Sequence, residues 1–139
     1  MRDLQFDTLA IMPKSKISEV TTTVATEKDA IKMADAIACA GLAACVQFWP
    51  IRSVYRWRGK IESEREFRLS CKTRTTRVAA LIQFIRVHHS YEVPEVMVIT
   101  IEGGLPAYLK WIDQETRLSR LTFSPPPSRK RISRRYRTA

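Results

Sequence analysis

An α+β fold, with helices packed on one face of a single sheet, is predicted by three observations in this sequence of 139 residues. Segments with strand period and helix period alternate in the order β-α-β-β-α-β, and a further helix follows. Two adjacent strands form a ribbon too long for the neighbouring helices to cover. Hydrophobic residues make up 45% of the chain, enough to fill one modest core in a single domain.

Ile17 to Val24 is rich in β-branched residues and predicts the first strand, although Thr21, Thr22 and Thr23 make it more polar than most central strands. Thr26 followed by Glu27 and Asp29 reads as a helix start. Ile31, Ala34, Ala38 and Leu42 then recur at helical spacing, with Gly41 as a stop, so a helix is predicted over 27–40.

From Ala43 to Lys72 the sequence reads as two long strands joined by a tight turn at Arg58-Gly59-Lys60. A strand rises about 3.3 Å per residue against about 1.5 Å for a helix, so arms of about a dozen residues outrun the helices by about 20 Å. An isolated two-stranded ribbon is marginal in water, and another copy of the chain is the natural cover. In the second arm Phe67, Leu69 and Cys71 alternate with Glu66, Arg68, Ser70 and Lys72, the period of a strand with one buried face. Glu62, Glu64 and Glu66 share one face, opposite an arm carrying Arg52, Arg56 and Arg58, which predicts cross-strand charge pairs. Pro50 cannot donate to a ladder and predicts a bulge or an edge.

Val78, Leu81, Ile82 and Ile85 form one stripe of a second helix over about 75–87, which Ser90 to Pro94 break. Val96 to Ile101 is a nearly unbroken apolar run, as expected of a strand covered on both faces, and Gly103-Gly104 ends it. Pro106 opens a last short helix containing Tyr108, Leu109, Trp111 and Ile112. The sum is the split β-α-β, ferredoxin-like arrangement with an extended hairpin and a C-terminal helix. Its second sheet face has no helices, so closed symmetric association of several copies is expected.

The formal net charge is +10, but its placement removes most of its meaning for the folded part. Residues 118–139 hold seven bases and no acid, leaving 17 bases and 14 acids in residues 1–117. The chain therefore divides into an extension over 1–16, a domain over 17–117 and a basic tail over 118–139. Pro125-Pro126-Pro127 reads as a stiff spacer, and the Arg-rich stretch after it cannot form a core, so disorder is expected there. Such a tail is suited to RNA, DNA or an anionic membrane surface through counterion release. No apolar run reaches the length of a membrane span and no secretory segment is visible, which together predict a soluble, cytoplasmic protein.

Cys39, Cys45 and Cys71 lack CxxC or Cys/His spacing and are expected as buried reduced thiols. No Ser/His/Asp set, phosphate-cradling glycine loop or catalytic carboxylate pair stands at recognisable spacing, so nothing supports an enzyme.

Several motifs in one order carry a resemblance over about 17–117. These are Leu42-Ala43-Ala44-Cys45-Val46, Ser53-Val54-Tyr55-Arg56-Trp57-Arg58-Gly59-Lys60-Ile61-Glu62, Lys72-Thr73, His89-Ser90-Tyr91-Glu92-Val93-Pro94-Glu95 and Pro106-Ala107-Tyr108-Leu109-Lys110-Trp111-Ile112. The chain resembles the CutA family of divalent-cation tolerance proteins. The resemblance implies a trimer of ferredoxin-like subunits whose hairpins pair between copies, a link to copper and other divalent cations, and no established catalysis.

The resemblance also implies a copper site made by a first-strand cysteine and adjacent histidines. Here His88 and His89 match, Thr22 stands in the place of the cysteine, and Ser90 replaces a proline. A hydroxyl is a far poorer ligand for soft copper than a thiolate. The alternative for the histidines is that one caps helix carbonyls while the other faces solvent. Lys72, Tyr91, Glu92 and Glu95 are expected near an intersubunit cleft, with an interfacial Lys72–Glu95 ion pair as the plainer outcome. Tyr55 and Trp57 share a face of the hairpin and are expected to pack in the trimer interface rather than to stack on a base. Two other functions fit parts of the chain: nucleic-acid binding through the tail, and nucleotide binding as in the nitrogen-regulatory trimers, the latter by analogy of fold alone.

Overall fold

The computed structural model describes residues 15–117, so the readings of most of the N-terminal extension and of the basic tail lie outside the described residues. Four strands, β1 (Ile17–Val24), β2 (Cys45–Trp57), β3 (Lys60–Arg74) and β4 (Val96–Thr100), alternate with helices α1 (Glu27–Cys39), α2 (Val78–His88) and α3 (Pro106–Glu115). A 3-10 turn over Thr75–Arg77 leads into α2. The sheet order is β2-β3-β1-β4 and every pairing is antiparallel. This is the ferredoxin-like plan expected from the element order.

Local chemistry sets the ends of α1. The Thr26 hydroxyl accepts from the Asp29 backbone N–H at 3.1 Å and donates to the Asp29 carboxylate at 2.7 Å, an N-cap of ordinary kind. At the other end Gly41 takes φ +67°. Its N–H reaches the Ala38 carbonyl and the Leu42 N–H reaches the Ile37 carbonyl, the two bonds of a Schellman stop that β-carbon-bearing residues make with strain.

Alternate residues of β1 and β3 then meet the helices. Val20, Val24, Leu69 and Cys71 pack with Ala30, Met33, Ala34 and Ile37 of α1 and with Leu81 and Ile85 of α2. Each large side chain buried here contributes about 1.5–3 kcal/mol. Burial pushes the Cys71 thiol up to about 12, so it stays protonated and inert. Cys45 is half-buried and Cys39 is exposed, which corrects the expectation of three buried thiols. Cys39 is the last residue of α1, beyond the stripe that faces the sheet.

Helix α3 is tied to the far end of β3. The Arg74 guanidinium pairs with Asp113 at 2.9 Å, the Arg74 backbone N–H donates to the buried Thr116 hydroxyl at 3.3 Å, and Arg77 donates to the Thr116 carbonyl at 3.0 Å.

Two strand expectations are corrected, while Pro50 meets the edge alternative expected of it. Pro50 lies within an unbroken β2 opposite Phe67, with no bulge, and is tolerated because β2 is an edge strand. The apolar strand β4 is the other edge, and Met97, Val98 and Ile99 are 44–48% exposed. Among the described residues nothing covers these three, whereas Val96 packs against the core. The hairpin turn has two residues, Arg58 and Gly59, with φ of +49° and +78°, the left-handed pair of a type I′ turn. Trp57 therefore faces Lys60, Tyr55 faces Glu62 and Ser53 faces Glu64, while Arg52 faces Arg65 and Arg56 faces Ile61. The predicted Arg/Glu ladder does not form.

Candidate functional site

On the helix-free face, the ribbon and the loop after α2 enclose a cleft of about 590 Å³. Strand alternation aims Tyr55, Trp57, Glu64 and Glu66 into it from β2 and β3, and the loop supplies Tyr91, Glu92 and Glu95. Tyr55 donates to Glu64 Oε2 at 2.8 Å, and that bond first of all holds its phenol up at about 12. Tyr91 donates to Glu66 Oε1 at 3.0 Å. Burial, then the bond to Glu66, raises its phenol above the ordinary range.

Four carboxylates thus line the cleft, and two have cationic partners. Arg58 pairs with Glu92 and Arg68 with Glu95, each at 3.4 Å. Glu66 is 6% exposed, and among the described residues no cation pairs with it. Burying a carboxylate without one is unfavourable. The arrangement can receive a cation with an apolar or planar body, since aromatic rings stand beside acceptor oxygens.

Loop residues Tyr91 and Glu92 are adjacent, yet they hold ribbon points at Glu66 and Arg58. Glu66 faces Ile51, and Ile51 to Arg58 spans about 23 Å of strand. The loop therefore ties the ribbon at two points, one near its tip and one near its base. Val54 and Ile61 near its tip remain 68% and 69% exposed.

The sequence-predicted residues separate into three groups. Tyr55, Trp57, Tyr91, Glu92 and Glu95 come together in the cleft. Lys72 does not join them within one chain: its Nζ donates to Gln47 Oε1 and to Ser70 Oγ, and Arg68 takes Glu95. Lys72 stands further down β3, opposite Glu19 and Cys45. The histidines form the third group. His88 Nδ1–H donates to the Phe84 carbonyl at 2.8 Å and its ring stacks on Phe84. His89 Nε2–H donates to the Thr23 carbonyl at 2.7 Å, and its Nδ1 accepts from the Tyr91 backbone N–H at 3.0 Å.

Both ring nitrogens of His89 are therefore engaged, in the one tautomer those partners permit. The half-buried ring braces the loop that carries Tyr91, instead of facing solvent. His88 caps the helix as one alternative expected. Thr22 is fully buried on the helix side of the sheet and its hydroxyl has no partner among the described residues. Among the described residues no group of three or more His, Cys, Asp or Glu side chains is placed to hold a metal ion. A single chain's described residues therefore do not complete a copper site; His88 alone keeps a ring nitrogen without a protein partner.

Glu64, Glu66 and Arg68 were not among the expected site residues. Their signal lay in the turn: a two-residue Arg58-Gly59 loop puts Glu64 and Glu66 on the face of Tyr55 and Trp57.

Comparisons with known proteins place this geometry. A family profile described as CutA1 divalent ion tolerance protein matches residues 18–115. Protein CutA of Mus musculus is 43% identical over 101 residues, 72% of this chain and 57% of that protein. The divalent-cation tolerance protein CutA of Archaeoglobus fulgidus is 44% identical over 73 residues, 52% of this chain and 72% of that protein. The chain thus spans little more than half of the mouse relative. Among solved structures, CutA from Synechococcus elongatus superposes with a TM-score of 0.73 at 38% identity, covering 76% of this chain and 95% of that one. No helix among the described residues is long and apolar enough to cross a membrane.

Proposed function

The chain belongs to the CutA1 divalent ion tolerance family, and from that premise we propose that it works as a homotrimer that binds a divalent cation, copper foremost, without catalysing a reaction. The observation that carries the assembly is the uncovered apolar surface. Met97 and Ile99 at the β4 edge and Trp49 at the β2 edge are 42–48% exposed on the helix-free face, and Val54 and Ile61 are exposed on the other face of the ribbon. Large apolar side chains left uncovered along both sheet edges and the ribbon mark interface surface. In this reading Tyr55 and Trp57 sit at the boundary between copies, and the cleft lies there too.

The metal reading rests on the family and on His88. Its exposed imidazole suits copper, and the further donors such an ion needs would come from a neighbouring copy. His89 then serves as the brace of the Tyr91 loop.

Two measurements test the proposal on the full chain. In sedimentation the native protein should run at three times the chain mass, and Ile99→Asp should run as a monomer with an unchanged circular dichroism spectrum; a monomeric native protein would end the assembly reading. Calorimetric titration with Cu(II) should show affinity lower by about tenfold or more in His88→Ala/His89→Ala. Equal affinity would remove the histidines from the metal site.

A further inference from the structure

We propose that the cleft is a receptor for guanidinium groups and that its occupant is this chain's own Arg-rich segment, residues 129–137. This goes beyond the metal reading and does not depend on it. Three observations converge on it.

The first is the state of the cleft. Glu64 and Glu66 receive tyrosine hydroxyls, Glu66 is only 6% exposed, and neither carboxylate has a cationic partner among the described residues. A buried carboxylate that opens on a cavity and lacks a cation is stabilised by one arriving from outside. Trp57 and Tyr55 stand beside these oxygens, and Arg58 already lies over the Trp57 ring at 5.4 Å. Planar guanidinium stacking on an aromatic face with a carboxylate at its edge is the arrangement that favours arginine over lysine.

The second is charge. Segment 129–137, RKRISRRYR, carries six bases in nine residues and no acid. It lies outside the region 18–115 matched by the family profile. The third is reach. The last turn of α3 is fixed to Arg74 through Thr116, and Arg74 lies eight residues along β3 from Glu66, about 26 Å. From Arg117 to Arg129 the chain can extend about 40 Å. The linking residues are therefore long enough for Arg129 to reach the cleft, in its own copy or in an adjoining one.

Carbodiimide coupling of the full chain tests this, because Lys130 is the one amine of the segment. Peptide mapping should place its dominant cross-links on the cleft carboxylates Glu64, Glu66, Glu92 and Glu95, and Arg134→Gln/Arg135→Gln should weaken them several-fold. Cross-links spread evenly over Glu27, Glu102 and Glu115 would overturn the proposal. Limited trypsin digestion gives an independent readout. Tail cleavage should be slower in the native chain than in Glu64→Gln/Glu66→Gln by roughly an order of magnitude, with the thermal midpoint of the variant confirming its fold. A free peptide of residues 128–139, added in excess, should restore fast cleavage of the native tail by displacing it. Protection that is absent in the protein alone and appears only on adding RNA would assign the segment to nucleic acid and refute docking.

Discussion

The two faces of the sheet are made from alternate residues of the same strands, yet they are held by opposite means. On the helix side Val20, Leu69 and Cys71 are fully buried against α1 and α2. On the other side Glu19, Ser70, Lys72 and Gln47 form a chain of hydrogen bonds, and Arg68 links Thr21 with Glu95. Burial on the first face makes the fold. The second is polar where it crosses the sheet centre, aromatic on the ribbon and apolar at the β4 edge, a mixture typical of surfaces that meet partners. Neighbours in sequence therefore contribute to different properties.

The sharpest test sets Leu69 against Arg68. Leu69→Ala removes a fully buried side chain and should lower unfolding free energy by about 2–5 kcal/mol in urea denaturation. Arg68→Ala removes a half-buried ion pair and should cost about 1 kcal/mol or less. Equal losses would break the division between faces. A smaller effect sharpens the covered face itself. The Thr22 hydroxyl is buried with no partner among the described residues, so Thr22→Val should leave stability unchanged or raise it by up to about 1 kcal/mol; a clear loss would reveal a bond that the hydroxyl makes.

The smallest effect belongs to the open face. Tyr55 titrates at about 12, above its ordinary value of 10.0, through its bond to Glu64. A phenol raised in the folded state stabilises it fully below about pH 10, and that contribution is lost as pH rises through about 12. Glu64→Gln should bring the phenol back toward 10, read from tyrosinate absorbance in the ultraviolet. No shift would mean that the hydroxyl does not use Glu64 in solution.

The order of elements was legible because each depends on local residues: Thr26 capping α1, Gly41 stopping it, and the apolar stripe of α2. What could not be read depended on one residue of loop length. Counting Lys60 as part of the turn pairs Arg56 with Glu62 and Arg52 with Glu66, giving the expected charge ladder. The two-residue turn moves every partner by one, and a one-residue shift in a strand exchanges faces. Glu64 and Glu66 then join Tyr55 in the cleft. The histidines illustrate a different gap. The sequence places His88 and His89 side by side, but their partners are Phe84 on the same helix and Thr23 on another element, and long-range partners leave no local mark. Likewise β4 has the composition of an interior strand while standing at the sheet edge, because an apolar run carries no local mark of which strands flank it.

The ribbon is fastened to the loop at its tip by Arg58 and Glu92, whose side chains are 74% and 77% exposed. At the base it is fastened by Tyr91 and Glu66, a bond to a carboxylate shielded from water. Salt screens the first and barely reaches the second, since the Debye length shrinks from about 10 Å at 0.1 M to about 3 Å at 1 M. The mouth of the cleft is thus latched by an ionic-strength-sensitive clasp while its floor is riveted, so brine loosens the entrance and leaves the seat intact.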